Sequence, residues 1–131
     1  MLLDTSGLLC FFDGTDVRHP EAVSLLSAAR QRLTHDYVLA EFIPLCQSRG
    51  LDRTKAIRFI ADLLINPIIE IVWVDAALYQ AALALLQARL DKTYSLCDAV
   101  SFLLMRERGL SEALTTDHHF AQEGFVRLLA P

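Results

Sequence analysis

Short apolar runs alternate with stretches of helical periodicity along the whole chain. Strands are predicted at 1–3, 33–35, 68–74, 110–116 and 125–129. No Asn-Gly or similar hairpin signal joins two of these runs, and helical segments separate them. This order predicts an α/β fold, in which helices cover both faces of a parallel sheet of about four to five strands.

Helical spacing and cap residues mark the intervening segments. Helices are predicted at 6–12, 19–32, 36–46, 52–64, 76–90 and 95–108, with a turn or short helix at 117–122. Asp36 is predicted to N-cap the third helix, and Gly50 to follow its end. Pro44 lies inside that helix, where its missing amide is expected to kink the chain. The β-branched and aromatic run Ile68 to Val74 is typical of a buried strand.

Composition limits the class of protein. The 131 residues are 53% hydrophobic and 21% charged, with a formal net charge of -4, which predicts one globular domain over residues 1–131. No apolar run reaches the roughly 18 residues of a membrane span, and Asp4 lies where the apolar part of a signal peptide would begin. A cytoplasmic location is therefore expected. The three widely spaced cysteines, Cys10, Cys46 and Cys97, are predicted to be buried rather than disulfide-bonded.

Four acidic residues are predicted to meet at the ligand-binding edge of the sheet. Asp4 follows the first strand and Asp117 follows a later one, so parallel strands bring both to one edge. Glu41 and Asp98 lie near the starts of two helices and are expected to project over the same edge. Four carboxylates repel one another unless a cation holds them, and Mg²⁺ or Mn²⁺ prefers such oxygen ligands. A bound cation of this kind lowers the pKa of a water and neutralises charge on a phosphodiester, which indicates phosphate ester hydrolysis.

Each acid also has a purely structural interpretation. Asp4 can cap the helix that follows it, and Asp117 can be a turn residue. Ser95 and Asp98 match the pattern of a capping box. Glu41 interrupts an apolar stretch and has the weakest structural explanation. Taken one at a time, these residues leave both interpretations open.

Four motifs carry a family resemblance when they are taken together and in order. They are Asp4-Thr5-Ser6, Val38-Leu39-Ala40-Glu41, Leu96-Cys97-Asp98-Ala99 and Thr115-Thr116-Asp117-His118-His119-Phe120. With them, essentially the whole chain resembles the PIN-domain ribonucleases, particularly the toxin components of VapBC toxin–antitoxin pairs.

The resemblance implies an endoribonuclease that depends on Mg²⁺ or Mn²⁺. Its acidic cluster would be Asp4, Glu41, Asp98 and Asp117. The hydroxyls of Ser6 and Thr115 would help to order that cluster. An antitoxin protein lying across the active-site groove and a homodimer are implied as well.

Two further groups of residues bear on binding. A local basic cluster is the best candidate for an RNA-binding surface on this acidic chain, and an ordinary solvated helix face is the alternative explanation: Arg49, Arg53, Lys55 and Arg58. His118 and His119 are interpreted as a surface turn, because a site made of four acids needs no imidazole. Apolar helix positions are candidates for a partner surface: Leu39, Phe42, Phe59 and Ile60.

Two other functions compete with RNA hydrolysis. A PIN fold that binds or regulates without turnover would keep the same acids. A receiver-type phosphoacceptor domain would need adjacent acids after the first strand and a lysine after the last one. Asp4 has no acidic neighbour and no lysine follows Lys92, so the sequence disfavours the receiver.

Overall fold

Five short strands form a parallel sheet in the computed structural model, which describes residues 1–130. The strands are β1 (Leu2–Leu3), β2 (Leu33–His35), β3 (Glu70–Val72), β4 (Glu112–Leu114) and β5 (Val126–Arg127). Their order in the sheet is β3-β2-β1-β4-β5, and every neighbouring pair is parallel. In the central strand, Leu2 pairs with Leu33 on one side and with Ala113 on the other. The predicted parallel α/β fold is confirmed.

Within residues 1–130, seven helices connect the strands. They are α1 (Thr5–Phe12), α2 (His19–Ala28), α3 (Asp36–Ser48), α4 (Arg53–Ile65), α5 (Ala76–Ala88), α6 (Leu96–Arg108) and α7 (His118–Gln122). The one large difference from the predicted bounds is α2, which ends at Ala28 because Arg32 donates hydrogen bonds to the carbonyls of Leu26 and Ser27 at its end. None of the helices in this part of the chain has the length and apolar character that crossing a bilayer requires.

The sheet separates two hydrophobic cores. Helices α1 to α4 cover one face, where Leu3 and Phe42 are buried, and α5 to α7 cover the other, where Leu2 and Val100 are buried. Leu2 and Leu3 are neighbours in β1 that serve opposite faces, as the alternation of side chains in a strand requires. The three cysteines are free and buried, as predicted.

Two local predictions are wrong. The apolar run from Ile68 contains β3, an edge strand with partly exposed residues, and Trp73 beside it is 63% exposed. β-Branched composition indicates a strand but does not reveal its place in the sheet. His35, rather than Asp36, is the N-cap of α3, and the Asp36 carboxylate instead accepts a 2.7 Å hydrogen bond from the Val74 amide. That bond joins the start of α3 to the segment after β3.

Candidate active site

An open pocket of about 690 Å³ lies where the central strands end, and all four predicted acids line it. Asp4 directly follows β1, and Asp117 lies between β4 and α7. Because β1 and β4 are parallel neighbours, these two residues leave the sheet at the same edge. Glu41 comes from α3 and Asp98 from the first turn of α6. Four separate segments therefore each contribute one carboxylate.

Hydroxyl groups hold the nearly buried carboxylate of Asp4. Thr115 Oγ1 donates to Asp4 Oδ2 at 2.7 Å, and Ser6 Oγ lies 3.4 Å from the same oxygen. The two hydroxyls are 3.1 Å apart. Ser6 Oγ accepts a hydrogen bond from the Thr116 amide, and Thr115 Oγ1 accepts one from the Asp117 amide, each at 3.0 Å. Ser6 and Thr115 thus connect Asp4 to the loop that carries Asp117.

Asp4 does not serve as a helix cap. It occupies the N-cap position of α1, but its side chain makes no capping hydrogen bond there. Burial, and secondarily the charges of Asp98 and Asp117, raise the pKa of the Asp4 carboxyl to about 7 against the opposing hydrogen bond from Thr115. A neighbouring cation would favour the ionised form instead.

Asp98 combines the capping role with a place in the pocket. Ser95 Oγ accepts a hydrogen bond from the Asp98 amide and Asp98 Oδ2 accepts one from the Ser95 amide, each at 3.0 Å, so the capping box is present. His119 Nδ1 lies 3.0 Å from the same Oδ2. Within residues 1–130, Asp98 Oδ1 accepts no hydrogen bond. Burial raises the pKa of this carboxyl, and the bond with the Ser95 backbone opposes that shift.

A hydroxyl also holds Glu41. Thr5 Oγ1 donates to Glu41 Oε1 at 3.1 Å, so the first residue of α1 orients a side chain of α3. Helix α3 continues through Pro44, which leaves the carbonyl of Ala40 without its usual amide partner. The pKa of the Cys97 thiol is raised mainly by burial and secondarily by the charge of Glu41. The thiol therefore stays protonated.

The sequence analysis missed His119 as a residue of the site. Both histidines lie in the short helix α7; His118 is at the surface as predicted, with its side chain 66% exposed, but the side chain of His119 is only 14% exposed. His119 Nδ1 lies 3.0 Å from Asp98 Oδ2 and 3.4 Å from Asp117 Oδ2, and its Nε2 lies 3.0 Å from Thr93 Oγ1. Its only signal in the sequence is its position two residues after Asp117.

The predicted basic cluster lies outside the pocket. Arg49 follows α3, and Arg53, Lys55 and Arg58 lie along α4, with all four exposed. None of them lines the pocket. Helix α4 packs against α3, so the cluster lies next to the helix that carries Glu41.

The predicted partner surface is largely core. Leu39 and Phe42 are buried. Phe59 and Ile60 are half-buried, and the Phe59 ring packs on Phe11, Phe12 and Phe42. Large exposed apolar side chains lie elsewhere, at Ile65, Trp73 and Leu90. The apolar spacing of these helices therefore reflects burial in the fold rather than a surface for a partner.

The donor set fits a hard divalent cation. Among residues 1–130, the pocket lining contains four carboxylates and no lysine or arginine to compensate them. Burial and mutual repulsion already raise the pKa values of Asp4 and Asp98, which is the situation that a cation relieves. At the rim, Asp117, His118 and His119 offer one donor atom each, all within 4.8 Å of one another. Carboxylate oxygens are the ligands that a hard divalent cation prefers.

The chain resembles known proteins in both sequence and fold. Residues 1–125 match the PIN domain family. The 23S rRNA-specific endonuclease VapC20 of Mycobacterium tuberculosis is 29% identical over 133 residues, which span 98% of this chain and 97% of that protein. The crystal structure of VapC20, a Sarcin-Ricin loop cleaving toxin, matches with a TM-score of 0.87 over 99% of this chain and 98% of the other. A toxin–antitoxin complex from Klebsiella pneumoniae shares the fold at 17% identity, with a TM-score of 0.66 over 99% and 98% of the two chains.

Proposed function

The chain belongs to the PIN domain family, and from this membership we propose that it is a metal-dependent endoribonuclease, the toxin of a type II toxin–antitoxin pair. Residues 1–131 are the nuclease domain in this proposal. The observation that carries it is the convergence of Asp4, Glu41, Asp98 and Asp117 in one pocket. The likeness to VapC20, an endonuclease that acts on 23S rRNA, supports RNA as the substrate.

In this proposal, Asp4, Glu41, Asp98 and Asp117 would hold Mg²⁺ or Mn²⁺. When bound, the cation supplies charge neutralisation for the phosphodiester and lowers the pKa of a water. The side chains of the pocket would bind the cation, and their neighbours orient the carboxylates that do so. Ser6 and Thr115 hold Asp4 through their hydroxyls, and Thr5 holds Glu41.

Three candidate protein nucleophiles beside the four acids, Cys97, Ser6 and Thr115, are poorly suited to attack, which supports water as the attacking group. The Cys97 thiol is buried and stays protonated. The hydroxyls of Ser6 and Thr115 are engaged with Asp4, with each other and with backbone amides. Direct hydrolysis of the phosphodiester therefore suits this site better than a covalent intermediate on the enzyme.

The decisive experiment incubates the purified protein with a 23S rRNA fragment and varies the metal. We expect cleavage with Mg²⁺ or Mn²⁺ and none in excess EDTA. Asp117→Asn should be inactive, whereas Asp75→Asn should cleave normally. Both aspartates are helix N-caps whose carboxylates accept an amide hydrogen bond, but only Asp117 lines the pocket.

Three outcomes would contradict the proposal in different ways. Undiminished cleavage in EDTA would remove the metal from the mechanism. RNA binding without cleavage, under any metal tested, would indicate a binding module without turnover. Full activity in Asp117→Asn would take that carboxylate out of the site.

Partners follow from the same proposal. An antitoxin protein would lie across the acidic pocket, and two copies of the chain would form a homodimer. Light scattering after gel filtration is expected to give twice the mass of the chain, and a strictly monomeric protein would contradict the homodimer.

A further inference from the structure

His119 is held at both ring nitrogens by residues from two other parts of the chain. Its Nδ1 contacts Asp98 of α6 at 3.0 Å, and its Nε2 contacts Thr93, in the segment between α5 and α6, at 3.0 Å. The ring itself belongs to α7, and its side chain is 14% exposed.

The chemistry of the partners determines which nitrogen carries the proton. Nδ1 lies near two carboxylate oxygens, one from Asp98 and one from Asp117, and ionised carboxylates can only accept hydrogen bonds. Nδ1 must therefore be the N–H donor. In the neutral ring Nε2 then has a lone pair, and the Thr93 hydroxyl can donate to it. The opposite tautomer would direct a lone pair at two carboxylates.

From these contacts we propose that His119 is a positioning residue for Asp98. Thr93 supports this role, because its hydroxyl donates to Nε2 and so stabilises the ring form that carries a proton on Nδ1. His119 Nδ1–H and the Ser95 amide both bind Asp98 Oδ2. They fix the rotamer of the carboxylate and leave Oδ1 as the oxygen available to a cation. The inference rests on the proposed function, because it assumes that Asp98 binds the metal.

Packing is the competing explanation for His119. Its ring lies edge-on to Tyr94, with centroids 5.2 Å apart, and close to His118, with centroids 4.6 Å apart. A residue that only fills this space should be replaceable by another flat ring. A residue that positions Asp98 should be replaceable by another donor at the place of Nδ1.

Two substitutions separate these explanations. His119→Asn places an amide N–H near the position of Nδ1 but removes the ring, whereas His119→Phe keeps the ring and removes both hydrogen bonds. Mn²⁺ binding to the metal-free full chain, measured by calorimetry, is the readout. Loss of the residue that orients a metal ligand typically weakens metal affinity by about 10–100-fold, so we expect that loss for Phe and no more than about threefold for Asn.

The remaining variants are controls. Gln122→Ala removes an exposed side chain of the same short helix that does not line the pocket, and should bind Mn²⁺ like the wild type. Thr93→Val removes only the hydroxyl and should weaken Mn²⁺ binding less than His119→Phe. A long-range ¹H–¹⁵N spectrum of the metal-free protein should show a proton on His119 Nδ1.

The outcomes distinguish failure of this inference from failure of the proposed function. Three results would each overturn the positioning role while leaving the nuclease proposal intact. They are wild-type Mn²⁺ affinity in His119→Phe, rescue by Phe but not by Asn, and the absence of a proton at Nδ1. A wild-type protein that takes up no Mn²⁺ would overturn the proposed function, and the inference with it.

Discussion

Two carboxylates in this pocket each combine a structural role, in capping a helix, with a proposed role in the site. Asp98 uses Oδ2 to complete the capping box of α6 and to bind His119. Asp117 uses Oδ1 to accept the amide of His119 at the start of α7. Asparagine preserves an oxygen acceptor in the same place but carries no charge. Substitution of Asp by Asn therefore separates the structural role of each residue from its proposed electrostatic role.

The first prediction at the residue scale concerns Asp98→Asn. We expect RNA cleavage to fall by at least about 100-fold, or roughly 3 kcal/mol of barrier, because a cation loses one charged ligand. The metal-free protein should be no less stable than the wild type, since a buried charge close to Asp117 is gone. Thermal unfolding in EDTA and a cleavage assay on one preparation test both expectations. Full activity with a lower melting temperature would mean that Asp98 acts only as a cap.

Asp4 makes the stability of the metal-free protein depend on pH. Its folded-state pKa is about 7, above the ordinary value of 3.8, so folding favours the protonated acid. This contribution to stability is fully present below pH 3.8 and is lost as the pH rises through 7. Between pH 5.5 and 8.5 we expect this group to remove about 1–4 kcal/mol of the free energy of unfolding.

Urea unfolding in EDTA at several pH values measures this effect. Asp4→Asn cannot ionise, so its stability should vary less with pH over the same interval. Excess Mn²⁺ should restore wild-type stability at high pH, because a ligand that binds only the folded state stabilises it. Parallel pH profiles for the wild type and Asp4→Asn would contradict the raised pKa.

At the scale of elements, the close approach of α1 to β4 holds the site together. Gly7 of α1 lies against the backbone of Leu114 in β4, and a Cβ on Gly7 would come within 1.9 Å of the Leu114 carbonyl oxygen. The residues on either side of this contact are Ser6 and Thr115, whose hydroxyls meet Asp4. Only glycine lets the helix lie this close to the strand.

Gly7→Ala is therefore expected to destabilise the protein by at least about 3 kcal/mol, since backbone must move to admit the methyl group. Gly14→Ala is the matched control, because a Cβ on Gly14 has no heavy atom within 4 Å and its φ angle is not positive. Urea unfolding midpoints compare the two variants. Equal stability of the two would show that α1 moves away from β4 easily.

At the scale of the whole molecule, charge is distributed unevenly between the pocket and the neighbouring surface. The pocket lining carries four acids, whereas the exposed face of α4 carries Arg53, Lys55 and Arg58. An RNA chain with its phosphate at the acidic pocket would need cations elsewhere to contribute binding energy. Helix α4 can supply them, because it packs against α3 beside the pocket.

Replacing Arg53 and Arg58 together by alanine should weaken RNA binding and flatten its salt dependence. For single-stranded RNA, the loss of two phosphate contacts lowers the slope of log affinity against log salt by about 1.4. Arg30→Ala with Arg108→Ala removes the same charge near the starts of β2 and β3, at the opposite edge of the sheet, and should leave the slope unchanged. An identical effect of both pairs would indicate that only net charge matters.

Much of the fold was predictable from the sequence because its determinants are local. Apolar periodicity, cap residues and the absence of hairpin signals predict the order of elements and a parallel sheet. The rule that parallel strands end at one edge then predicts that Asp4 and Asp117 meet there. The motifs around the four acids indicate the PIN family, which the match over residues 1–125 shows independently.

Contacts between distant segments decided the rest. The edge position of β3, the closeness of Gly7 to Leu114 and the partners of His119 depend on which segments become neighbours. Apolar periodicity and cap residues in the sequence predict that a side chain is buried or caps a helix. They do not predict which group from another segment lies against it. For the same reason, the sequence left capping and metal binding as alternatives for Asp98. In the tertiary structure, Oδ2 of this carboxylate takes part in the cap, and Oδ1 accepts no hydrogen bond within residues 1–130.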